Sequence, residues 1–150
     1  TSCHLFKPAT FMNHSGRAIA AIVRFYQMPL SSILLAHDEL DFAAGVMRLK
    51  ASGGHAGHNG LRDMIQVFGG KHDFWRLRLG IGHPGQAAMV TDYVLKAPRI
   101  AEHKLIEQSI DWLLPHMADF ICGDTQPVIQ LVHDRDSNHT TQDNVQQDKE

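Results

Sequence analysis

The sequence lacks the features that mark several specialised classes of protein. Cys3 and Cys122 are its only cysteines, too few for a disulfide framework, so a reducing cytoplasm is expected. No apolar run approaches the roughly 18 residues of a membrane span, and no leader with a basic start and an apolar centre opens the chain. The net charge of -2 excludes a nucleic-acid binder that acts through bulk charge alone. We therefore expect a cytoplasmic protein with no membrane segment.

What is present indicates one globular domain followed by a tail. The 150 residues are 43% hydrophobic, enough for a core within a single domain. Residues 134–150 have five acidic and two basic residues and one aliphatic residue, so they predict a disordered acidic tail. Residues 44–80, which we call the basic segment, have six basic and two acidic residues. The predicted domains are thus 1–133 and the tail 134–150.

The periodicity of apolar residues predicts strands that alternate with helices. The predicted strands are residues 3–6, 33–37, 45–50 and 74–80. The predicted helices are residues 17–26, 59–68 and 100–121, with Pro115 expected to kink or break the last one. Residues 90–95 are ambiguous. This alternation is typical of the α/β class.

Two segments place polar residues at the predicted ends of strands. Asn13 joins the first predicted strand to a helix, where it acts either as a helix cap or as a functional carboxamide. Asp38, Glu39 and Asp41 follow an apolar run. Such acidic residues form a solvated turn, orient a catalytic histidine, or bind a metal ion. The residues alone leave these alternatives open.

A glycine-rich segment, residues 52–60, leads into the second predicted helix. Its glycines allow a close approach of the backbone to a ligand, and Asn59 is a suitable N-cap. His55 and His58 are spaced for metal binding, but two ligands do not make a site. The 11 histidines of the chain therefore leave a metal site as one possibility only.

Four motifs give the sequence a specific resemblance. They are PATFMNHSGRAIAAI, ILLAHDELDFAAGVMRLK, SGGHAGHNGLRDMI and DFWRLRLGIGHPG. In this order and spacing, over about residues 5–121, they closely resemble the bacterial peptidyl-tRNA hydrolase family. The resemblance implies a single-domain α/β globule with a mixed, twisted sheet flanked by helices. It implies a hydrolase that cleaves the ester between a peptide and the 3′ ribose of tRNA, recycling tRNA in the cytoplasm during translation. It also implies that no cofactor or metal is needed.

The resemblance assigns roles to individual residues. Asn13 and Asn59 resemble the carboxamides that hold the substrate near the ester, with Phe11 and Met12 as the apolar wall beside them. Asp38 resembles the carboxylate that orients the catalytic histidine, and His58 resembles the histidine that gates the crevice. Cations that resemble those contacting the tRNA phosphates are Arg48, Lys50 and Arg78.

The opening of the chain departs from the family pattern. Nothing before residue 8 resembles the glycine-rich turn and the RHN-like segment that supplies the family's catalytic histidine. We therefore expect the first strand and the general base to be missing, and this chain to be weak or inactive as a hydrolase. A monomer is expected if the chain is complete. Dimerisation or aggregation through exposed strand edges is expected if it is truncated.

Two other functions remain open from the sequence. One is a non-catalytic RNA-binding remnant that keeps the cations for the tRNA phosphates. The other is a metal-dependent hydrolase that uses His55, His58 and Asp38.

Overall fold

The computed structural model describes residues 2–147, with side chains described for residues 2–137. Within these residues the strands are β1 (Leu34–Glu39), β2 (Met47–Ala51) and β3 (Trp75–Gly80). The α-helices are α1 (Ser15–Phe25), α2 (Asn59–Val67), α3 (Val90–Leu95), α4 (Ile100–Leu113), α5 (Met117–Cys122) and α6 (Thr125–Gln147). Short 3-10 turns cover Met12–His14, Leu30–Ser32, Ala87–Met89 and Leu114–His116. None of the described helices combines the length and the apolar character that crossing a bilayer requires.

The three described strands form one mixed sheet in the order β1-β3-β2. The N–H groups of Trp75 and Ile81 donate to the carbonyls of Ile33 and Glu39, so β3 runs parallel to β1. At the other edge of β3, Gly80 N–H donates to the carbonyl of Val46 at the opposite end of β2, which makes that pair antiparallel. The α/β class and the mixed sheet with helices beside it, both expected from the sequence, are confirmed.

Most of the predicted elements are present, with one clear error. The strand predicted at residues 3–6 is wrong, since these residues belong to no strand or helix and Leu5 is fully exposed. An apolar run forms a strand only if it can pair with the edge of another strand. A local sequence pattern cannot show whether such an edge is available. The ambiguous residues 90–95 form α3, and the predicted long helix is broken at Pro115 into α4, a 3-10 turn and α5.

The predicted tail begins inside a helix. Helix α6 runs through the boundary placed between residues 133 and 134, and Asp136 beyond it is 2% exposed. A disordered tail therefore does not describe the start of this segment. Acidic composition alone could not reveal that one of these acids is buried with partners. Residues 148–150 of the predicted tail lie outside the described residues.

The described chain divides into two compact units. The N-terminal unit comprises Ser2–Leu35 and Lys50–Arg76. The C-terminal unit comprises Ala36–Leu49 and the described residues from Leu77 onward. Each unit has a buried interior of its own.

Helices α1 and α2 pack together in the N-terminal unit. The hydrophobic cluster at its centre is formed by the buried residues Ile19, Val23, Leu61, Met64 and Phe74. The crossing is close at Gly16, where an added Cβ would lie 2.6 Å from the backbone of Asp63 and Met64. Gly16 N–H also donates to Asp63 Oδ2 at 2.8 Å, which ties the start of α1 to α2. This contact fixes how the residues just before α1 are presented.

The interior of the C-terminal unit comes from β2 and from helices α4 to α6. Its buried apolar residues are Met47, Leu49, Leu113, Phe120, Val128 and Val132. Ser109, which is 1% exposed, donates its hydroxyl to the carbonyls of Gly45 and Leu105. Asp136 accepts the N–H of Met47 at 2.6 Å, so α6 is bound to the first residue of β2.

Candidate active site

The 3-10 turn Met12–His14 lies against the first turn of α2. Gly60 permits this approach, because a Cβ there would lie 2.6 Å from Met12 Sδ and 3.1 Å from the ring of His58. Glycine at this position therefore brings Asn13, in the middle of the turn, close to the beginning of α2. Asn59 is the first residue of α2.

The turn Met12–His14 and the exposed face of α2 border a cleft of about 370 Å³. Its lining residues are Met12, Asn13, Asn59, Arg62, Asp63 and Gln66. The structure thus brings together three of the residues singled out in the sequence, Met12, Asn13 and Asn59. The volume of the cleft is within the range of small-molecule sites, and most of the groups that line it are polar.

Three of the lining residues were not predicted from the sequence. Arg62, Asp63 and Gln66 follow Asn59 at spacings of three, four and seven, so they share its face of α2. Arg62 Nη1 donates to Asn59 Oδ1 at 3.3 Å. This contact engages the carboxamide oxygen of Asn59. The helical spacing from Asn59 was the signal that could have found these residues.

His58 holds the beginning of α2 in place. Its Nδ1 accepts the backbone N–H of Leu61 at 3.2 Å, so His58 is the N-cap, in the place that the sequence suggested for Asn59. Because its neighbour performs the capping, the side chain of Asn59 is exposed at the cleft. The ring of His58 has a structural role here, whatever else it does.

The apolar residues predicted beside the carboxamides are exposed. Phe11 is 82% exposed and Met12 is 55% exposed. Met12 lines the cleft, whereas Phe11 is not one of its lining residues. Exposed large apolar side chains next to polar groups are typical of binding surfaces.

Asp38 lies on β1, in the C-terminal unit. It is half-buried, as is His37 before it. The strand continues to Glu39, so successive side chains point to opposite faces. His37 Nδ1 lies 2.7 Å from the backbone oxygen of Asp38. The side chains of His37 and Asp38 therefore diverge.

The arginines predicted to contact phosphates are engaged with carboxylates. Arg78 Nε and Nη2 both lie 2.9 Å from Oε2 of Glu39, which is 8% exposed. The guanidinium of Arg78 also lies 4.5 Å from the ring centroid of Phe42. Arg48 Nη1 lies 2.9 Å from Asp136 Oδ2. These ion pairs were not predicted from the sequence, since alternation along a strand identifies a face but not what pairs with it.

The third predicted cation differs from the two arginines. Lys50 is exposed and belongs to the N-terminal unit. Its Nζ lies 3.7 Å from the position that a Cβ on Gly53 would occupy, so its ammonium is next to the glycine-rich segment.

The histidines of the glycine-rich segment accept backbone hydrogen bonds. His55 Nδ1 accepts Gly57 N–H at 3.1 Å, and His58 Nδ1 accepts Leu61 N–H. A nitrogen that accepts a hydrogen bond cannot donate the same lone pair to a metal ion. Within the part of the chain that the structure describes, no three histidine, cysteine or acidic side chains form a group that could hold a metal ion.

A model of the family described as peptidyl-tRNA hydrolase matches residues 1–141. The chain belongs to the peptidyl-tRNA hydrolase family. A peptidyl-tRNA hydrolase of Saccharophagus degradans is 49% identical over 131 residues, which are 87% of this chain and 66% of that protein. One from Alcanivorax borkumensis is 52% identical over 120 residues, which are 80% of this chain and 62% of that protein.

Solved peptidyl-tRNA hydrolases share the fold. The crystal structure of the enzyme from Acinetobacter baumannii matches with a TM-score of 0.79 and 42% identity, over 83% of this chain and 63% of that one. The chain thus spans slightly less than two thirds of the length of these relatives. The resemblance predicted from the four motifs is confirmed at the level of family and fold.

Proposed function

We propose that this chain acts on peptidyl-tRNA and hydrolyses the ester between the peptide and the 3′ ribose of tRNA. The observation that carries the proposal is that the carboxamides of Asn13 and Asn59 line one cleft. The N–H groups of two carboxamides can donate to the carbonyl oxygens of a peptide and of an ester. Their oxygens can accept from the N–H groups of the peptide. Family membership supports the same substrate.

The chemistry is attack of a water molecule on the ester carbonyl. Asn59 has its oxygen engaged by Arg62, so its N–H groups are available to the carbonyl that gains negative charge. Asn13 holds the peptide across the cleft, Met12 supplies the apolar wall, and the exposed Phe11 precedes Met12 outside the cleft lining. By resemblance, Asp38 is the carboxylate that orients the family's catalytic histidine, for which this chain has no match, and His58 gates the cleft. No cofactor or metal takes part.

The tRNA phosphates are contacted by Lys50, Arg48 and Arg78. Lys50 is exposed and therefore the foremost contact. The side chains of Arg48 and Arg78 are 30% and 24% exposed, so each can share an outward N–H with a phosphate while it keeps its carboxylate. Such contacts position the RNA without reading its sequence. This function belongs to translation and to the cytoplasm.

The activity of this 150-residue chain is expected to be low. No histidine in it matches the family's catalytic histidine, and loss of a general base typically costs 10²- to 10⁴-fold in rate. The test compares peptide release from peptidyl-tRNA by this chain with release by a version preceded by the opening segment of a relative. Release at equal rates contradicts the expectation of low activity. Release by neither version, with no binding, contradicts the proposed function.

Binding of RNA without hydrolysis is the second candidate function. It is favoured by the cleft with its two carboxamides and the exposed Lys50, which need no general base to bind the 3′ end of a tRNA. Affinity for tRNA in both versions, with hydrolysis in neither, identifies this second function. Hydrolysis by either version excludes it.

A further inference from the structure

Arg76 is a buried cation beneath the glycine-rich segment of the N-terminal unit. It lies on β3 and is 4% exposed. Its Nη1 donates to the carbonyl of Gly54 and its Nη2 to the carbonyl of Gly53. The guanidinium also lies 4.9 Å from the ring centroid of Phe74. A planar fork of this kind can hold two successive carbonyls at once, which an ammonium cannot do in the same geometry.

The segment that Arg76 holds has an unusual backbone. Ser52 and Ala56 have φ angles of 62° and 45°, in the left-handed region that residues with a Cβ rarely adopt. Gly53 and Gly57 have φ angles of 122° and 83°. A backbone in such conformations keeps its shape only if surrounding contacts impose it. The bonds from Arg76 are contacts of this kind.

The same segment determines where the cleft residues lie. Its last turn is closed by the N–H of His58, which donates to the carbonyl of His55 at 2.8 Å. His58 then caps α2, and Asn59 follows directly at the cleft. A shift of the segment therefore moves the cap and the carboxamide with it.

The segment also lies between two cations. A Cβ on Gly53 would lie 3.7 Å from both Arg76 Nη1 and Lys50 Nζ, so the two nitrogens lie next to the same glycine. The ammonium of Lys50 therefore lies at the same segment that the carbonyl bonds of Arg76 hold.

We infer that Arg76 is a positioning residue for substrate binding. By holding the carbonyls of Gly53 and Gly54, it fixes the glycine-rich segment so that Asn59 and the ammonium of Lys50 are presented to the 3′ end and the phosphates of the RNA. The inference rests on the proposed function for the identity of the ligand. The hold of Arg76 on the segment does not depend on that identity.

The test compares Arg76→Lys and Arg76→Met with the full chain. Lysine keeps the charge and loses the fork, and methionine loses both. Arg24→Met, at an exposed position of α1, is the matched control. Amide hydrogen exchange of residues 53–58 reports the hold on the segment. Affinity for an RNA hairpin ending in CCA, with an acylated amino acid joined through a 3′ amide, reports the presentation of the site.

In Arg76→Met we expect amide exchange of residues 53–58 to become about tenfold faster or more, while α4 keeps its protection. We expect the affinity for the hairpin to fall by about tenfold. Arg76→Lys should show the faster exchange and a smaller loss of affinity at low salt, because its charge remains. Arg24→Met should change neither.

Unchanged exchange of residues 53–58 in Arg76→Met overturns the inference, and so does faster exchange with unchanged affinity. If Arg76→Met does not fold, Gly53→Ala disturbs the same segment, because a side chain at the positive φ of Gly53 strains the backbone. Equal exchange and affinity in Gly53→Ala and the unaltered chain then count against the inference. If the unaltered chain does not bind the hairpin, the proposed function fails, and the exchange measurement alone decides whether Arg76 holds the segment.

Discussion

At the scale of single residues, three arginines of the basic segment show that residue type does not determine role. Arg48 pairs with Asp136, Arg78 pairs with Glu39, and Arg76 donates to two backbone carbonyls. From the sequence all three are cations at alternate positions of strands. Their partners lie far away along the chain, so no local pattern distinguishes a phosphate contact from a structural one. Function in the basic segment therefore depends on which of the arginine N–H groups are directed toward solvent.

The clearest prediction for a single residue concerns Asn59. Replacement by alanine removes the carboxamide that Arg62 orients toward the cleft. We expect peptide release from peptidyl-tRNA to slow by about 10²-fold, the usual effect of losing one donor to a developing oxyanion. The measurement is single-turnover release by the version preceded by the opening segment of a relative, in excess over peptidyl-tRNA, together with thermal unfolding.

The control for Asn59→Ala is Gln108→Ala, which removes an exposed carboxamide on α4. It should leave the rate and the unfolding temperature unchanged. Equal rates with and without Asn59→Ala in the version that has the opening segment would remove Asn59 from the site.

At the scale of elements, close helix packing presents the cleft residues. The turn Met12–His14 precedes α1, and α1 is tied to α2 where Gly16 meets Asp63. Asp63 also lines the cleft, so one side chain both joins the helices and borders the site. The geometry of Asn13 relative to Asn59 therefore depends on this crossing.

Gly16→Ala tests the crossing. Its Cβ would lie 2.6 Å from backbone atoms of Asp63 and Met64, which cannot turn aside as a side chain can. We expect the free energy of unfolding to fall by about 1–3 kcal/mol, the usual cost of overpacking, as measured by urea denaturation.

Gly54→Ala is the matched control, since no atom lies within 4 Å of a Cβ at that position. It should change the free energy of unfolding by less than about 0.5 kcal/mol. A Gly16→Ala variant as stable as the unaltered chain would show that the helices separate without cost, contrary to the packing described.

Helix α6 is held through Asp136, which is almost fully buried. Its carboxylate accepts the N–H of Met47 and pairs with Arg48 and Arg135. Asp136→Asn leaves two cations without their counter-charge. We expect a loss of about 2–3 kcal/mol in the free energy of unfolding, since breaking a buried charge pair leaves an uncompensated charge. Urea denaturation followed by circular dichroism measures it.

Asp134→Asn is the control for Asp136→Asn, because Asp134 is exposed and accepts only a side-chain bond from Gln130 among the contacts described. Its effect should stay within about 0.5 kcal/mol. If the two variants are equally stable, α6 is not held by Asp136.

The sequence predicted those elements whose pattern is local. Helices α1 and α2 have apolar residues on one face, and the predicted strands 33–37 and 74–80 correspond to β1 and β3. Helix α6 was missed because the carboxylate of Asp136 joins it to Met47, 89 positions away. Within the candidate site, the carboxamides of Asn13 and Asn59 were predicted because they belong to specific motifs. The other cleft residues, Arg62, Asp63 and Gln66, could be inferred from helical spacing after Asn59. The role of Arg76 could be inferred only from its three-dimensional contacts.

At the scale of the whole molecule, the net charge of -2 conceals an uneven distribution. The basic segment has a net charge of +4 and residues 134–150 have a net charge of -3. Asp136 is counted in that acidic stretch, yet its charge is compensated locally by Arg48 and Arg135. Net charge is therefore a poor guide to RNA binding here, and the exposed cations are the better one.

Lys50→Ala tests the proposed contact between the exposed cations and RNA. Each phosphate contact releases counterions, so log Kd depends on log salt with a slope of about 0.7–0.9 per contact. Removing the exposed ammonium of Lys50 should weaken tRNA binding and reduce this slope by about 1. Lys104→Ala, an exposed ammonium on α4, is the control and should leave the slope unchanged. Titration with tRNA at several salt concentrations measures both, and an equal slope in the two variants would exclude Lys50 from the RNA contact.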